Sequence, residues 1–117
     1  LAPALIAGST PEMTINRQEV FGPVASVIRV SGLEEAIAIA NASEFGLSAG
    51  IVTTSLANAS AFKRRIQAGM VMINAPTAGV DYHVPFGGTK ASSMGPREQG
   101  FAAAEFYTRM KTIYTCA

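Results

Sequence analysis

The sequence predicts an α/β fold in which a β-α-β-α-β run forms a parallel sheet. The chain has 117 residues, of which 49% are hydrophobic and 15% charged, the profile of one domain with a substantial core. Three short runs rich in β-branched and apolar residues alternate with two segments of helical periodicity. Strands and helices that alternate at this spacing are joined by right-handed crossovers, and parallel strands are covered on both faces.

The first strand is predicted at Val24–Val30, directly after Pro23. Ser31-Gly32-Leu33-Glu34 matches the capping box, in which a serine and a glutamate satisfy free N–H groups at a helix start. The following apolar residues are spaced to lie on one helical face: Leu33, Ala36, Ile37 and Ala40.

The second strand is predicted at Ala49–Thr53, after the break at Gly46–Gly50. Ser55 is a suitable N-cap for the next helix, and Gly69 suits its end. The inward positions of that helix are Leu56, Ala59, Phe62 and Ile66. Met70–Asn74 is the third predicted strand.

Residues Ala75–Gln99 contain three prolines and four glycines and show no sustained period. A loop of this length in a compact domain is usually functional or disordered, and its composition favours a tightly specified path. A helix is predicted at about Gly100–Arg109, followed by a strand-like tail, Lys111–Thr115.

Charge and composition exclude several classes of protein. The net charge is +1, and the only basic cluster, Lys63 to Arg65, is interpreted as a solvated helix face, so no nucleic-acid partner is expected. The apolar stretch Leu1–Ala7 is too short for a membrane span and lacks a signal peptide's basic start. The single cysteine, Cys116, builds neither a disulfide framework nor a zinc site and fits a cytoplasmic protein.

The string Gln18-Glu19-Val20-Phe21-Gly22-Pro23-Val24 carries recognisable chemistry. A carboxylate at Glu19 can accept both hydrogens of a ribose diol, and the ring of Phe21 offers a flat wall to a nucleoside. Gly22 allows the backbone to turn and Pro23 stiffens it. Either residue alone would be interpreted as an exposed glutamate or a core phenylalanine, but the whole string favours a cofactor site.

This string resembles the Glu-Glu-x-Phe-Gly-Pro-Val signature of the aldehyde dehydrogenase superfamily, with Gln18 in place of the first glutamate. The resemblance implies that Glu19 holds the nicotinamide ribose of NAD or NADP and that Phe21 packs beside it. The groups that distinguish NAD from NADP would lie upstream.

Pro85–Gly100 is similar to the family's Pro-Phe-Gly-Gly-x-Lys-x-Ser-Gly-x-Gly-Arg-Glu-x-Gly, although Ser93 replaces a glycine and Pro96 delays the Arg-Glu pair by one position. The resemblance implies that Phe86 lines the aldehyde pocket. The remaining polar side chains of the motif are expected to be architectural: Lys90, Arg97 and Glu98.

The segment Asn41–Gly50 also resembles the family's Asn-x-x-x-Tyr-Gly-Leu, so the resemblance runs over nearly all of the chain. It implies that residues 1–110 form the C-terminal part of the catalytic domain and that residues 111–117 begin an oligomerisation strand. The loop Pro76–Val84 further resembles the branch that acts on α-ketoglutarate semialdehyde. Because the family's C-terminal strand joins subunits, the resemblance also implies a homo-oligomer, either a dimer or a tetramer.

In this family a cysteine thiolate attacks the aldehyde, an asparagine amide helps to hold the oxyanion, and a glutamate activates water. The family places all three upstream of the first motif, so no catalytic residue and no metal ligand is assigned, and the chain alone is expected to be inactive. Cys116, Asp81 and His83 are interpreted as incidental.

Two alternatives remain. One is a stand-alone α/β binding or interaction module. The other is a reductase relative that acts on acyl phosphates or acyl-CoA esters, against which the fit of Glu19–Pro23 argues.

Overall fold

The computed structural model describes residues 1–117, which form short helices and three two-stranded sheets. In chain order the elements are β1 (Ala4–Ala7), α1 (Thr14–Arg17), β2 (Val24–Val27), α2 (Leu33–Asn41), β3 (Phe45–Gly46), β4 (Ser48–Ile51), α3 (Leu56–Arg65), β5 (Met70–Ile73), β6 (Thr89–Lys90), a 3₁₀ turn (Gly100–Ala102) and α4 (Ala103–Tyr107). None of the helices has the length and apolar character needed to cross a membrane. The chain divides into a first unit, residues 1–44 and 53–67, and a second unit, residues 45–52 and 68–117.

The first unit contains a parallel strand pair. β1 and β2 run in register from Ala4 opposite Val24 to Ala7 opposite Val27. The chain between them contains α1, so the pair is a β-α-β unit with a very short helix. Beyond the last pair, buried Ser9 donates hydrogen bonds to the Val27 carbonyl from its amide, at 3.2 Å, and from its hydroxyl, at 3.1 Å.

The α/β class is confirmed, but the single β-α-β-α-β sheet is wrong. β2 pairs with β1, and β4 pairs with β5. β1 lies in the apolar stretch Leu1–Ala7, for which the sequence predicts no strand. β2 also ends at Val27 instead of Val30, because β1 offers partners only as far as Ala7.

Helices α2 and α3 supply the buried hydrophobic side chains of the first unit, which are Ile37, Ala59 and Phe62. Both oxygens of Glu34 accept hydrogen bonds from the guanidinium of Arg65, at 2.5 and 2.6 Å. The amide of Asn41 then bridges the backbone after α3: it donates to the Arg65 carbonyl and accepts from the Gln67 amide, each at 2.8 Å. One ion pair and one amide bridge therefore join the two helices.

The start of α3 agrees with the sequence prediction, and the start of α2 differs from it by one position. Ser55 is the N-cap of α3, as predicted, and its hydroxyl accepts a hydrogen bond from the Asn58 amide at 3.2 Å. The capping box of α2 is wrong by one position: Gly32 is the N-cap, and Glu35, not Glu34, accepts hydrogen bonds from the amide and hydroxyl of Ser31. The predicted inward residue Leu56 is 88% exposed.

The second unit contains the other two sheets. β4 and β5 are parallel, from Ser48 opposite Met70 to Ile51 opposite Ile73, which confirms two predicted strands to within two residues at each end. β3 and β6 are antiparallel and lie in segments without a strand prediction. The predicted C-terminal helix is a 3₁₀ turn followed by α4, and residues 108–117, including Lys111–Thr115, contain no strand.

The strands are less buried than their composition predicts. Every residue of β1 is exposed, and the residues of β5 are only half-buried. Large apolar side chains are exposed elsewhere too, among them Val52, Leu56, Phe101, Met110 and Ile113. Many large apolar side chains of these 117 residues are therefore open to solvent, and the buried hydrophobic core is small.

Candidate functional site

Glu19 and Phe21 line one pocket of about 260 Å³ in the first unit. The pocket extends from the end of α1 to the middle of β2, and its other lining residues are Ile15, Gln18, Val20, Gly22, Val24 and Ser26. The structure therefore brings together the two residues of the predicted cofactor site.

Phe21 has an unusual backbone conformation. Its φ is +51°, in the left-handed region, which a bulky residue other than glycine rarely occupies. Its side chain is 91% exposed, so burial of the ring does not compensate for that strain. Strained, exposed aromatic residues are typical of ligand-contacting positions, where the surroundings fix a geometry that the residue alone would avoid.

The carboxylate of Glu19 is exposed, and no hydrogen bond or ion pair of the chain engages it. Glu19 is the second residue after α1, whose last turn is closed by the bond from the Gln18 amide to the Thr14 carbonyl at 2.9 Å. The carboxylate thus stands on a defined backbone with its acceptor oxygens open to a donor from outside.

Asn16 links the residues before the Gln18–Pro23 motif to the strand after it. Its amide donates to the Thr10 carbonyl at 2.7 Å, and its side-chain oxygen accepts a hydrogen bond from the hydroxyl of Ser26. Because Asn16 is in α1 and Ser26 in β2, the pair ties the helix before the motif to the strand after it. Sequence reasoning missed both residues; the available signal was a short polar side chain on each side of the motif.

Phe86 lies in the second unit and is half-buried. Its backbone pairs with that of Glu98 in an isolated bridge: the Phe86 amide donates to the Glu98 carbonyl at 2.7 Å, and the Glu98 amide donates back at 2.8 Å. These two bonds draw the ends of the intervening loop together and fix the backbone on both sides of the phenylalanine ring.

Three glycines approach one another closely beside Phe86. A Cβ atom on Gly69 would lie 2.0 Å from the Gly87 carbonyl oxygen and 2.7 Å from the Gly88 Cα. These are backbone atoms that cannot move aside, so only glycine fits at Gly69. Gly87 and Gly88 are themselves buried. We call Gly69, Gly87 and Gly88 the glycine contact.

The guanidinium of Arg97 lies against the glycine contact. Its Nη1 donates to the Gly88 carbonyl, and the same nitrogen would be 2.8 Å from a Cβ on Gly69. The expected architectural role of Arg97 therefore has a specific structural basis.

Hydrogen bonds around Gly46 hold the loop from its other side. The Gly46 carbonyl accepts from the Gly69 amide at 2.9 Å and from the Thr89 hydroxyl at 3.3 Å, while the Gly46 amide donates to the Ser92 hydroxyl at 3.0 Å. Lys90 is in β6 opposite Phe45 with a φ of +53°, which agrees with a role in the path of the chain. The prediction of a tightly specified loop matches these contacts.

The first part of the loop is exposed and anchored at both ends. At the start, the Asn74 amide donates to the Ile51 carbonyl at 2.8 Å; at the end, the Gly100 amide donates to the Tyr82 carbonyl at 3.3 Å. Asp81 and His83 lie near the second anchor, where the rings of Tyr82 and His83 meet edge to face at 5.5 Å. Cys116 is exposed in the tail.

Comparison with known proteins identifies what these segments belong to. The model of the aldehyde dehydrogenase family matches residues 1–113. The alpha-ketoglutaric semialdehyde dehydrogenase of Bacillus subtilis is 49% identical over 112 residues, and the alpha-ketoglutarate semialdehyde dehydrogenase of Haloferax volcanii is 47% identical over 113. Each alignment covers 96% of this chain and 23% of the relative, so the chain spans about a quarter of the length of these curated relatives.

Solved structures agree with the sequence relatives. The NAD-dependent aldehyde dehydrogenase of Sinorhizobium meliloti superposes with a TM-score of 0.86 at 42% identity, over 92% of this chain and 21% of that protein. The indole-3-acetaldehyde dehydrogenase of P. syringae, solved with NAD+, superposes with a TM-score of 0.85 at 38% identity, over the same shares of the two chains. The chain belongs to the aldehyde dehydrogenase family.

Proposed function

We propose that this chain supplies the nicotinamide-ribose subsite and one wall of the aldehyde pocket in an enzyme that oxidises an aldehyde to a carboxylic acid with NAD or NADP. The observation that carries the proposal is the exposed, unengaged carboxylate of Glu19 beside the strained ring of Phe21, on one pocket. The proposal rests on that geometry together with membership of the family.

The pocket fits part of a dinucleotide. Its volume of about 260 Å³ lies just below the roughly 300–1,000 Å³ typical of small-molecule sites, which supports a subsite for part of a ligand, such as a ribose. A carboxylate that accepts both hydroxyl hydrogens of a ribose makes a charge-assisted, geometrically fixed pair. The open oxygens of Glu19 provide the acceptors for that pair.

When bound, the nicotinamide cofactor accepts a hydride from the substrate. The residues of this chain bind and orient: Glu19 holds the ribose and thereby sets the position of the attached ring, and Phe21 covers one side of it. Phe86 contributes an apolar wall that excludes water from the aldehyde. Each of these side chains is proposed to bind or orient, and none is assigned as the nucleophile or as the base that activates water, so we propose that the 117-residue chain alone is inactive.

The proposed substrate is α-ketoglutarate semialdehyde. Support comes from two relatives with that activity in their names, at 49% and 47% identity, and from the 2,5-dioxopentanoate dehydrogenase of Saccharolobus solfataricus at 40%. A betaine aldehyde dehydrogenase of Rhizobium leguminosarum at 46% identity makes betaine aldehyde the comparison substrate for the test.

A chimera tests the proposal. The segment of the Bacillus subtilis enzyme that aligns with this chain is replaced by residues 1–117, and NAD- and NADP-coupled turnover is measured with both aldehydes. We expect turnover by the chimera that prefers α-ketoglutarate semialdehyde, and none by the 117-residue chain alone. A folded chimera without turnover would contradict the proposed function, and turnover or tight ligand binding by the chain alone would favour a self-sufficient module.

We further propose that the tail Lys111–Thr115 pairs with a second subunit. Ile113 is 74% exposed and Tyr114 is 91% exposed, and the segment has no strand partner within the chain. An exposed strand-like segment of this kind is a template for another chain. Light scattering should show a dimer or tetramer for the chimera and a smaller species after deletion of residues 111–117; an unchanged mass would refute the pairing.

A further inference from the structure

We infer that Arg97 is a positioning residue for Phe86, and that it acts through the backbone of Gly88. The inference rests on the proposed function, because Phe86 matters to the aldehyde only if it lines the aldehyde pocket. Arg97 itself lies outside the proposed pocket wall, and its guanidinium determines the position of the Phe86 ring that forms this wall.

The contacts of Arg97 locate its action. Nη1 donates to the Gly88 carbonyl, and the side chain lies so close to Gly87 that a Cβ there would be 3.0 Å from Nη1 and 3.1 Å from Cδ. Arg97 is half-buried, and its guanidinium is therefore packed against the two residues that follow Phe86. A guanidinium is planar and rigid, so it fixes the orientation of the peptide it binds more firmly than a flexible ammonium would.

Phe86 is consequently held by two adjacent residues in different ways. The Glu98 backbone bonds to both the amide and the carbonyl of Phe86, and this ladder pair fixes the residue's distance from the returning strand. The pair does not by itself fix the twist of the peptides that follow, which pack against Gly69 on one side. Arg97 restrains that twist at Gly88. The preceding Gly87, with a φ of +153°, has little intrinsic preference for one conformation because it has no Cβ.

The alternative is that Arg97 stabilises the loop without any influence on the position of the ring. Both roles predict a loss of stability when the guanidinium is removed, so stability cannot distinguish them. A positioning role also predicts that the environment of the Phe86 ring changes, and that the Michaelis constant for the aldehyde rises while that for the cofactor does not.

The experiment uses the chimera with Arg97→Gln and Arg97→Lys, and with Arg64→Gln as the matched control. Arg64 donates to the Ser60 hydroxyl on the exposed face of α3, so the control removes a guanidinium with one side-chain bond away from the loop. We expect Arg97→Gln to raise KM for the aldehyde about tenfold with KM for NAD changed less than about twofold, Arg97→Lys to fall between, and Arg64→Gln to match the unsubstituted chimera.

A second readout does not need turnover. Trifluoromethyl-phenylalanine is incorporated at position 86 alone, and its fluorine NMR resonance is recorded for each variant. We expect one sharp resonance in the unsubstituted chimera and in Arg64→Gln, and a shifted or broadened resonance in both Arg97 variants; if Arg97→Gln does not fold, Arg97→Lys decides. An unchanged resonance together with an unchanged aldehyde KM would overturn the inference, as would an equal rise in both Michaelis constants. An inactive unsubstituted chimera would count against the proposed function alone, because the resonance still reports on Phe86.

Discussion

The segment Gln18–Pro23 and the loop Pro85–Gly100 hold their key aromatic residues in opposite ways. Phe21 is almost fully exposed on a strained backbone, and side-chain bonds between Asn16 and its neighbours tie the segment only at its ends. Phe86 is half-buried beside the glycine contact, where backbone atoms leave no space for a single added carbon. The first segment should therefore be sensitive to changes of chemical group, and the second to changes of volume.

The largest expected effect is that of Gly69→Ala. The new Cβ would lie 2.0 Å from a backbone oxygen, so the loop or the start of β5 has to move. We expect a loss of about 3 kcal/mol in the free energy of unfolding of the 117-residue chain, measured by urea denaturation. Gly32→Ala is the control, since a Cβ there meets nothing within 4 Å and should cost at most about 1 kcal/mol. Equal losses of unfolding free energy in the two variants would show that the glycine contact does not make this loop sensitive to volume.

Glu19→Gln should have the next largest effect, and on catalysis instead of stability. Loss of the charged acceptor for a ribose diol should cost about 1.5–3 kcal/mol, or roughly tenfold to 150-fold in kcat/KM of the chimera for NAD. Stability should not change, because the carboxylate makes no contact within the chain. An unchanged kcat/KM for NAD would take Glu19 out of the site.

The link between Asn16 and Ser26 should contribute less. Each of Asn16→Ala and Ser26→Ala removes one partner of an exposed hydrogen bond, so we expect about 0.5–1 kcal/mol from each in kcat/KM for NAD. If the bond acts by fixing the motif, the double variant should cost little more than Asn16→Ala alone, which also loses the bond to Thr10. Strictly additive losses would indicate that the two residues act independently of their hydrogen bond.

The ion pair between Glu34 and Arg65 should have the smallest effect and a defined pH dependence. The hydrogen bond from Arg65 holds the pKa of Glu34 below its ordinary value of 4.5. The pair therefore adds stability above pH 4.5, and this contribution disappears as the pH falls through the lower pKa of the folded chain. Urea midpoints of the chain and of Glu34→Gln should differ slightly at pH 7 and converge in acid or in high salt. A difference that grows in acid would contradict this assignment.

Local signals in the sequence were sufficient for the parts of the fold that depend on neighbours in the chain. The presence of α2 and α3, the Ser55 cap and the strand at Met70–Ile73 all follow from such signals. The pairing of strands does not, because β2 found its partner in β1, a stretch whose apolar character alone suggested other uses. The start of α2 was predicted one position too early, because two glutamates follow Ser31 and the sequence does not show which of them bonds to it. In the structure Gly32 is the N-cap and Glu35 accepts the bond from Ser31.

In the candidate site too, the residues within a motif were predictable from the sequence, and their partners from elsewhere in the chain were not. A motif was enough to predict that Glu19 and Phe21 share a pocket, since they are two residues apart. The partners that fix them are not in the motif: Asn16 and Ser26 come together only because α1 and β2 are adjacent. Likewise, nothing at Gly69 in the sequence reveals that Gly87 and Gly88 lie against it, because that contact joins residues far apart in the chain.

The two anchors of the exposed loop, at Asn74 and at Tyr82, also matter for protein engineering. Any segment placed between them would leave β5 and enter the loop of Phe86 at the same two points, because the bonds to Ile51 and Gly100 use backbone atoms only. Lengthening such a segment costs little, about 0.6 kcal/mol for each doubling of its length. We therefore expect residues 75–81 to accept the corresponding sequences of relatives, provided that the residue at position 77 still fits beside Gly50.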